Sequence, residues 1–360
     1  MPESKRTNRP HAREEKTRGE RDLAIDEFAR RWLVGENQDL YAEMLVTLCR
    51  LARDGASRAD AKLLNKALAE LRYAFKTFAP YRETRKVSIY GSARTPPDHP
   101  NYHAAEAFGR QMSAAGWMVI TGAGDGIMKA GHGGAGKEKS FGVAIRLPFE
   151  QKTNEIIAED PKLVNFRYFF TRKLTFMKEA SAVALFPGGF GTQDELFEAM
   201  TLVQTGKSSL IPIVMCEEPG GTYWPHWRRY VEQELLAKGM IGDQDMSLFL
   251  ITDSVEAAVD DVTRFYRVYH SSRVVGDDLV LRLHRPLSPR TLERLNDEFA
   301  PRILTAGRIS QVPALPDENG ELPDLPRLQM QFDRKSLGLL RQLIDVVNSE
   351  PALPECDLPR

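Results

Sequence analysis

Apolar positions recur with two different periods along the chain, and the change of period divides it into segments. Between residues 22 and 81 apolar side chains return every three or four positions, as at Leu40, Met44 and Leu48. This spacing predicts two or three helices. From residue 87 to 269 short apolar runs alternate with helical patterns, which predicts strands and helices in turn. Such alternation is typical of a doubly wound parallel sheet, so the predicted fold class is α/β.

Seven strands and six helices are predicted in this middle segment. The strands are Val87–Tyr90, Trp117–Thr121, Phe141–Leu147, Leu163–Phe170, Ala182–Phe186, Ile211–Met215 and Leu248–Thr252. The helices are Tyr102–Ala115, a helix ending near Gly136, Arg172–Ser181, the segment carrying Leu196, Met200 and Val203, a helix around Trp227–Lys238, and Val255–Tyr269.

After Val274 the pattern changes again. It predicts a strand at Leu279–Leu283, a helix at Pro289–Phe299, strands at Arg308–Val312 and Leu328–Phe332, and a helix at Leu337–Val347. A βαββα order is typical of a small α+β module. Residues 1–21 carry seven basic residues against four glutamates and no apolar run, which predicts a disordered basic arm. The predicted organisation is therefore an arm 1–21, a helical region 22–85, an α/β domain 86–270 and a C-terminal module 271–360.

Composition narrows the class of protein. The 360 residues contain 49 basic and 50 acidic side chains, so no overall field favours nucleic acid or a membrane surface as a partner. No apolar run approaches the roughly 20 residues of a membrane helix, and the charged N-terminus does not resemble a secretory signal. Three widely spaced cysteines, Cys49, Cys216 and Cys356, indicate no disulfide framework. The expected location is the cytoplasm.

The segment from Pro187 to Glu195 carries the candidate chemistry. It follows the apolar run Ala182–Phe186 and precedes a helical pattern. A strand, a glycine turn and a helix start leave backbone N–H groups free for an anion, usually a phosphate. Thr192 adds a hydroxyl, and Glu195 lies about one turn inside the helix. The alternative is a plain turn in which Glu195 only closes a capping box with Thr192.

The pattern Pro187-Gly188-Gly189-x-Gly191-Thr192-x-x-Glu195 resembles the signature of the LOG family. These cytokinin-activating phosphoribohydrolases and their bacterial relatives are often labelled lysine decarboxylase-like, and members hydrolyse the N-glycosidic bond of nucleoside 5′-monophosphates. The resemblance covers about residues 86–269. It implies a Rossmann-like sheet, a hydrolase without a cofactor, and at least a homodimer with sites near the interface.

Further segments fit the same family. Phe170-Thr171-Arg172-Lys173-Leu174-x-x-Met177 resembles the helix whose arginine works beside the motif glutamate, which implies Arg172 and Glu195 as the catalytic pair. Ile145-x-Leu147-Pro148-x-x-Gln151-x-x-Asn154 resembles longer members, whereas Ala123 and Lys129 depart from the usual residues. The predicted phosphate- and nucleotide-binding residues are Gly91, Ser92, Gly122, Gly124, Gly126, Met128, Lys173, Gly188, Gly189, Gly191 and Thr192.

Other cofactors fit the sequence poorly. The Gly122–Gly126 turn has its third glycine one position too early for a dinucleotide fingerprint, and no acidic residue ends the next strand. Gly131–Lys137 has P-loop spacing but is followed by Glu138 instead of Ser or Thr. A pyridoxal lysine at Lys173 would stand beside the like charge of Arg172. His99 and His103 lack a third metal ligand at a persuasive spacing. We therefore predict neither a cofactor nor a metal.

These residues predict hydrolysis of a nucleoside 5′-monophosphate to a free base and ribose 5-phosphate. Pairing with Arg172 is expected to keep Glu195 ionised and to lower its pKa. A nucleotide-binding regulator without turnover is the alternative. Nothing in the sequence identifies the base, so cytokinin ribotides, AMP, GMP and pyrimidine monophosphates all remain open.

Overall fold

The computed structural model describes residues 22–33, 35–146, 153–318 and 320–351. The chain divides into two compact units, residues 1–69 and 70–360. The predicted arm 1–21, most of the segment 145–154 that resembles longer family members, and Cys356 lie outside the described residues. The predicted domain boundaries after residues 85 and 270 stay predictions.

Three helices open the described chain: α1 (22–32), α2 (Gln38–Arg53) and α3 (Arg58–Phe78). The side chain of Gln38 joins the first two, because its Nε2 donates to Ala29 O at 2.7 Å and to Leu33 O at 2.9 Å. Ser57 and Asp60 start α3 as a reciprocal cap: Asp60 N donates to Ser57 Oγ, and Ser57 N donates to Asp60 Oδ2, both at 3.2 Å. The helical prediction for this region is confirmed.

The second unit is built on a seven-stranded parallel sheet. Its strands are β1 (Lys86–Tyr90), β2 (Met118–Thr121), β3 (Ser140–Ile145), β4 (Leu163–Phe166), β5 (Ala182–Leu185), β6 (Ile213–Cys216) and β7 (Phe249–Thr252). They lie in the order β4-β3-β2-β1-β5-β6-β7. Nearly every position in β1, β2, β3, β5 and β6 is buried, as expected when helices cover both faces. The predicted α/β doubly wound, Rossmann-like fold is confirmed.

Helices cover the two faces of this sheet. They are α4 (Pro100–Ala114), α5 (Ile127–Ala135), α6 (Phe169–Glu179), α7 (Phe190–Gln204), α8 (Tyr223–Tyr230), which continues as a π-helical turn Val231–Leu236, and α9 (Val255–Arg264). Phe176 and Leu196 belong to the core on one face, and Phe108 and Val262 to the core on the other. The predicted strand Leu163–Phe170 was too long, since it ends at Phe166 and α6 begins at Phe169.

A four-stranded antiparallel sheet follows. Its strands β8 (Tyr269–Val275), β9 (Asp278–Leu283), β10 (Leu304–Val312) and β11 (Arg327–Phe332) lie in the order β10-β11-β9-β8. Helices α10 (Pro289–Glu298), α11 (Ala300–Ile303) and α12 (Leu337–Asn348) complete this part. Arg341 on α12 pairs with Asp261 on α9 at 2.9 Å, and both side chains are buried.

The predicted helix Val255–Tyr269 was wrong at its C-terminal end. The helix stops at Arg264, and Tyr269 begins strand β8. The side chain of Asn348 explains the difference, because its Oδ1 accepts from Val268 N at 2.8 Å and from Tyr269 N at 3.1 Å. A distant residue thus takes the amide groups that a longer helix would have used. The C-terminal order gains a strand that the predicted βαββα lacked.

None of the helices within the described residues is long and apolar enough to cross a membrane.

The strand order locates the functional edge of the sheet. From β1 the chain proceeds outwards through β2, β3 and β4, and then returns to β5 on the other side of β1. Ligands of doubly wound sheets bind beyond the carboxyl ends of the strands at such a reversal. The residues that follow β1 and β5 there are Gly91 and Ser92 on one side and Pro187 and Gly188 on the other.

Candidate active site

A cavity of about 650 Å³ opens at this reversal. Residues 90–94 after β1 and residues 188–195 at the start of α7 form most of its wall. Met128, Phe169 and Arg172 complete the lining. The cavity therefore brings together the predicted catalytic pair and seven of the predicted nucleotide-binding residues: Gly91, Ser92, Met128, Gly188, Gly189, Gly191 and Thr192.

The backbone of Ser92 ties the three glycine turns together. Its N–H donates to Pro187 O at 3.1 Å, and its carbonyl accepts from Ile127 N at 3.0 Å. The turns after β1, β2 and β5 consequently meet at one edge, as the strand–helix alternation predicts. The three turns beside the cavity are therefore connected to one another by backbone hydrogen bonds.

The turn before α7 is held in place by its neighbours, and the start of the helix is left uncapped. Gly188 has to be glycine, because a Cβ there would collide with Thr192 Oγ1 and lie 2.9 Å from Ser92 N. Tyr223 fixes the turn from outside, since its hydroxyl donates to Gly188 O at 2.5 Å and accepts from Gln193 Nε2 at 2.6 Å. No side chain caps α7 at Gly189, and the alternative capping box of Thr192 and Glu195 is not formed. The first amide groups of α7 are thus available to a ligand.

Glu195 is buried at the floor of the cavity. Burial raises its pKa to about 7, although the charges of Arg172 and Lys173 act in the opposite direction. The expected low pKa of Glu195 was therefore wrong, because loss of water outweighs the nearby cations. Within the described residues no ion pair joins Arg172 to Glu195; Arg172 Nε instead donates to Val143 O at 3.0 Å.

The turn Gly122–Gly126 does not line the cavity but lies against Arg172. A Cβ on Gly122 would lie 2.6 Å from Arg172 Nη2 and 2.8 Å from Met128 Sδ. Glycine at this position lets the guanidinium lie directly against the turn. Gly124 and Gly126 also lie outside the cavity lining, so direct ligand contact by Gly122, Gly124 and Gly126 stays a prediction.

A buried histidine holds the same turn. His132 Nε2 lies 3.0 Å from Phe141 O, which can only accept, so the proton is assigned to Nε2. Its Nδ1 then accepts from Asn154 Nδ2 at 3.3 Å, and the same amide donates to Gly124 O at 2.9 Å. Asn154 N donates to Ala123 O at 2.9 Å. This network supports the left-handed backbone of Ala123, whose φ is 61°.

Lys173 does not line the cavity. It pairs with two carboxylates on α7. Its Nζ lies 2.8 Å from Asp194 Oδ2 and 3.1 Å from Glu198 Oε2. Burial alone would lower the pKa of Lys173, but the two carboxylates outweigh it and raise the pKa. Lys173 joins α6 to α7 and so fixes Arg172 relative to Glu195. Its predicted contact with a nucleotide stays a prediction.

Several residues of the site were not identified from the sequence. Arg94 lines the cavity as a second cation, and its position after Gly91-Ser92 was the available signal. Phe169 and Phe190 line it as exposed rings, the latter at the unspecified position of the glycine motif. Tyr223 and His132 had no local signal, because they act through contacts with distant turns.

Within the described residues, no group of three or more His, Cys, Asp or Glu side chains is placed to hold a metal ion. The prediction that no metal or cofactor is needed stays a prediction.

Comparisons with known proteins show what the residues around this site are similar to. A family model described as "Possible lysine decarboxylase" matches residues 125–262, which include both Arg172 and Glu195. No curated protein matches the chain. The chain is similar to the solved structure of TM1055 with 20% identity and a TM-score of 0.38, over 50% of this chain and 99% of that one.

Two solved molybdenum-cofactor proteins are also similar. The molybdenum cofactor binding protein from Rippkaea orientalis has 14% identity and a TM-score of 0.34, over 49% of this chain and 94% of its own. The molybdenum cofactor carrier protein from Chlamydomonas reinhardtii has 16% identity and a TM-score of 0.35, over 50% and 97%. The family match confirms the resemblance for residues 125–262, which carry the glycine motif and are similar to the LOG, or lysine decarboxylase-like, family.

Proposed function

We propose that the protein hydrolyses the N-glycosidic bond of a nucleoside 5′-monophosphate and releases a free base and ribose 5-phosphate. The observation that carries this proposal is one cavity that joins an uncapped helix start to Arg172 and Glu195. An anion site beside a buried carboxylate suits a substrate that carries a phosphate next to a ribose. The LOG-family match is consistent with a nucleotide-related hydrolase.

The start of α7 binds the 5′-phosphate in this proposal. Its free amide groups, the helix dipole and the Thr192 hydroxyl all favour negative charge there. Glu195 lies less than one helical turn further along, so a phosphate held at Thr192 brings the ribose within reach of the carboxylate. Arg94 and Arg172 also line the cavity and add positive charge to it.

The reaction breaks the bond between the anomeric carbon and the base nitrogen. Positive charge then builds on the ribose, and the ionised carboxylate of Glu195 stabilises it. A water molecule attacks the anomeric carbon and gives a proton to Glu195, while the departing base takes a proton from solvent. Glu195 then returns its proton to solvent, so the whole reaction consumes one water molecule. A carboxyl group with a pKa of about 7 suits this role, because both of its forms are populated near neutral pH.

The test is incubation of the full-length protein with AMP, GMP, CMP, UMP and a cytokinin ribotide, followed by detection of free base and ribose 5-phosphate. Glu195→Gln keeps the size of the side chain and loses its charge, so we expect turnover to fall about 100-fold or more. Nucleosides without the phosphate should be poor substrates. Saturable nucleotide binding with no free base from any monophosphate would contradict hydrolysis and favour a nucleotide-binding regulator.

A further inference from the structure

Two phenylalanine rings line the cavity while remaining open to solvent. Phe190 is the first residue of α7 and is 96% exposed, and Phe169 is the first residue of α6 and is 52% exposed. A large apolar ring that stays exposed to water forgoes the favourable free energy of its burial. Both rings lie in the wall of the same cavity, so a bound ligand would cover them.

The cavity contains three kinds of surface, and each suits one part of a nucleotide. The amide groups at the start of α7 and Thr192 suit a phosphate. The carboxyl of Glu195 suits the ribose, whose charge it would balance. The rings of Phe169 and Phe190 suit a flat aromatic base, because base–aromatic stacking needs only a π-face.

We propose that Phe169 and Phe190 form the base-binding subsite and hold a purine by stacking and apolar contact. This inference rests on the proposed function, and it adds the class of base that the site prefers. A phenyl ring has no hydrogen-bonding group, so these two residues favour a base with a large ring surface. They do not distinguish bases by their exocyclic amino or carbonyl groups. We therefore infer that purine monophosphates bind better than pyrimidine monophosphates, and that AMP and GMP are distinguished only weakly by these rings.

Phe170 provides a matched control. It follows Phe169 directly and is 51% exposed, but it does not belong to the cavity lining. Its ring instead stacks on Tyr168 with centroids 5.5 Å apart. A substitution at Phe170 removes an equally exposed ring from the same helix without touching the cavity.

The experiment measures equilibrium binding of AMP and of ribose 5-phosphate by calorimetry. All proteins carry Glu195→Gln so that AMP survives the titration. Phe169→Leu and Phe190→Leu are each expected to weaken AMP binding about tenfold, the scale of one stacked base. Ribose 5-phosphate binding should not change, and Phe170→Leu should leave both affinities unaltered. Phe190→Trp should restore AMP binding.

Two results would overturn the subsite. Equal weakening of AMP and ribose 5-phosphate would show that the rings support the sugar-phosphate site only. Unchanged AMP binding together with a change in sedimentation would make the rings a contact between protein chains.

The test separates this inference from the proposed function. AMP binding that depends on both rings, in a wild-type protein that releases no base, would overturn hydrolysis and support the subsite. Hydrolysis at the wild-type kcat and KM in both leucine variants would overturn the subsite and support the function.

Discussion

Glu195 shows how a single position combines two opposing effects. Its carboxyl lies beside Arg172 and Lys173, yet burial raises its pKa to about 7. A buried charge loses its water, and cations that do not contact the carboxylate directly return only part of that energy. The residue is therefore both a candidate for proton transfer and a source of instability.

We expect kcat/KM for a nucleoside monophosphate to rise with pH and to level off above a pKa of about 7, because the ionised form of Glu195 is the active one. The substrate phosphate also titrates, with a pKa of about 6. Arg172→Met distinguishes the ionisation of Glu195 from that of the substrate phosphate. Arg172 lowers the pKa of Glu195, so its removal should shift the rise in kcat/KM to higher pH only if that rise reports Glu195. If kcat/KM of this variant rises at the same pH as in the wild type, the rise reports ionisation of the substrate phosphate.

Glu195→Gln should stabilise the protein at alkaline pH. The pKa of Glu195 is raised on folding, so the wild-type protein loses stability as pH increases from about 4.5 to 7. The amide escapes this loss, which predicts a gain of about 3 kcal/mol in the free energy of unfolding at pH 8. Denaturant unfolding at pH 8 and pH 4 measures it; the two proteins should match at pH 4. An equal gain at both pH values would rule out the ionisation of Glu195 as the cause.

His132 should contribute a stability loss at acid pH. Burial lowers its pKa to about 4, while the hydrogen bond that Nε2 donates to Phe141 O acts in the opposite direction. The unfolded chain takes up this proton below about pH 6.5, so stability falls as pH drops from 6.5 to 4, by up to about 3 kcal/mol. His132→Asn should reduce the pH dependence in that window. His226→Asn, at an exposed position, is the control substitution of the same kind.

At the scale of elements, the glycine turns are held in place by contacts with one another and with neighbouring helices. Ser92 joins the turns after β1 and β5, and Gly122 lies against the guanidinium of Arg172. The start of α7 is in turn held by Tyr223 from α8. The geometry of the cavity consequently depends also on the Gly122 turn and on Tyr223, neither of which lines it.

Gly122→Ala tests this dependence. A Cβ there would lie 2.6 Å from Arg172 Nη2, so the guanidinium has to move. The colliding atoms are side-chain ends, and we expect a small change in melting temperature but at least a tenfold loss of turnover. Gly133→Ala on α5 is the matched control, because its Cβ would meet only ordinary contacts of 3.5 Å or more. Equal activity of the two variants would contradict a role for the Gly122 turn in placing Arg172.

At the scale of the whole molecule, each unit exposes apolar side chains. No residue of α2 is buried, and Leu40, Met44 and Leu48 are each about half exposed on one face of that helix. In the second unit Phe170 and Leu174 on α6 are similarly exposed. Surfaces of this kind usually mark sites of protein association.

We propose that these surfaces join copies of the chain into at least a dimer, in line with the family resemblance and with the frequency of two-fold symmetric assemblies. Sedimentation at micromolar concentration should show a dimer or a larger assembly as the main species. Met44→Glu places a charge in the apolar face of α2 and should shift the equilibrium towards monomer, whereas Cys49→Glu, at an exposed position on the opposite side of the helix, should not. A wild-type monomer would contradict the proposal.

The sequence by itself determined the elements and the principal site motif. Strand and helix periods are local properties, so the α/β alternation and the position of the Gly188 turn before α7 were predictable. The motif also gave Glu195 and Thr192 as candidate residues, since the chemistry of a glycine turn before a helix depends on neighbouring residues alone. The resemblance to a family added Arg172, which no local pattern would have distinguished from a surface cation.

Only the tertiary structure decided what depends on distant neighbours. Asn348 ended the helix that the pattern continued to Tyr269, and Asp194 and Glu198 engaged Lys173. Burial reversed the expected shift in the pKa of Glu195. The physical reason is common to all three: hydrogen bonding, ion pairing and loss of water are set by groups close in space, and periodicity along a chain does not report which groups those are.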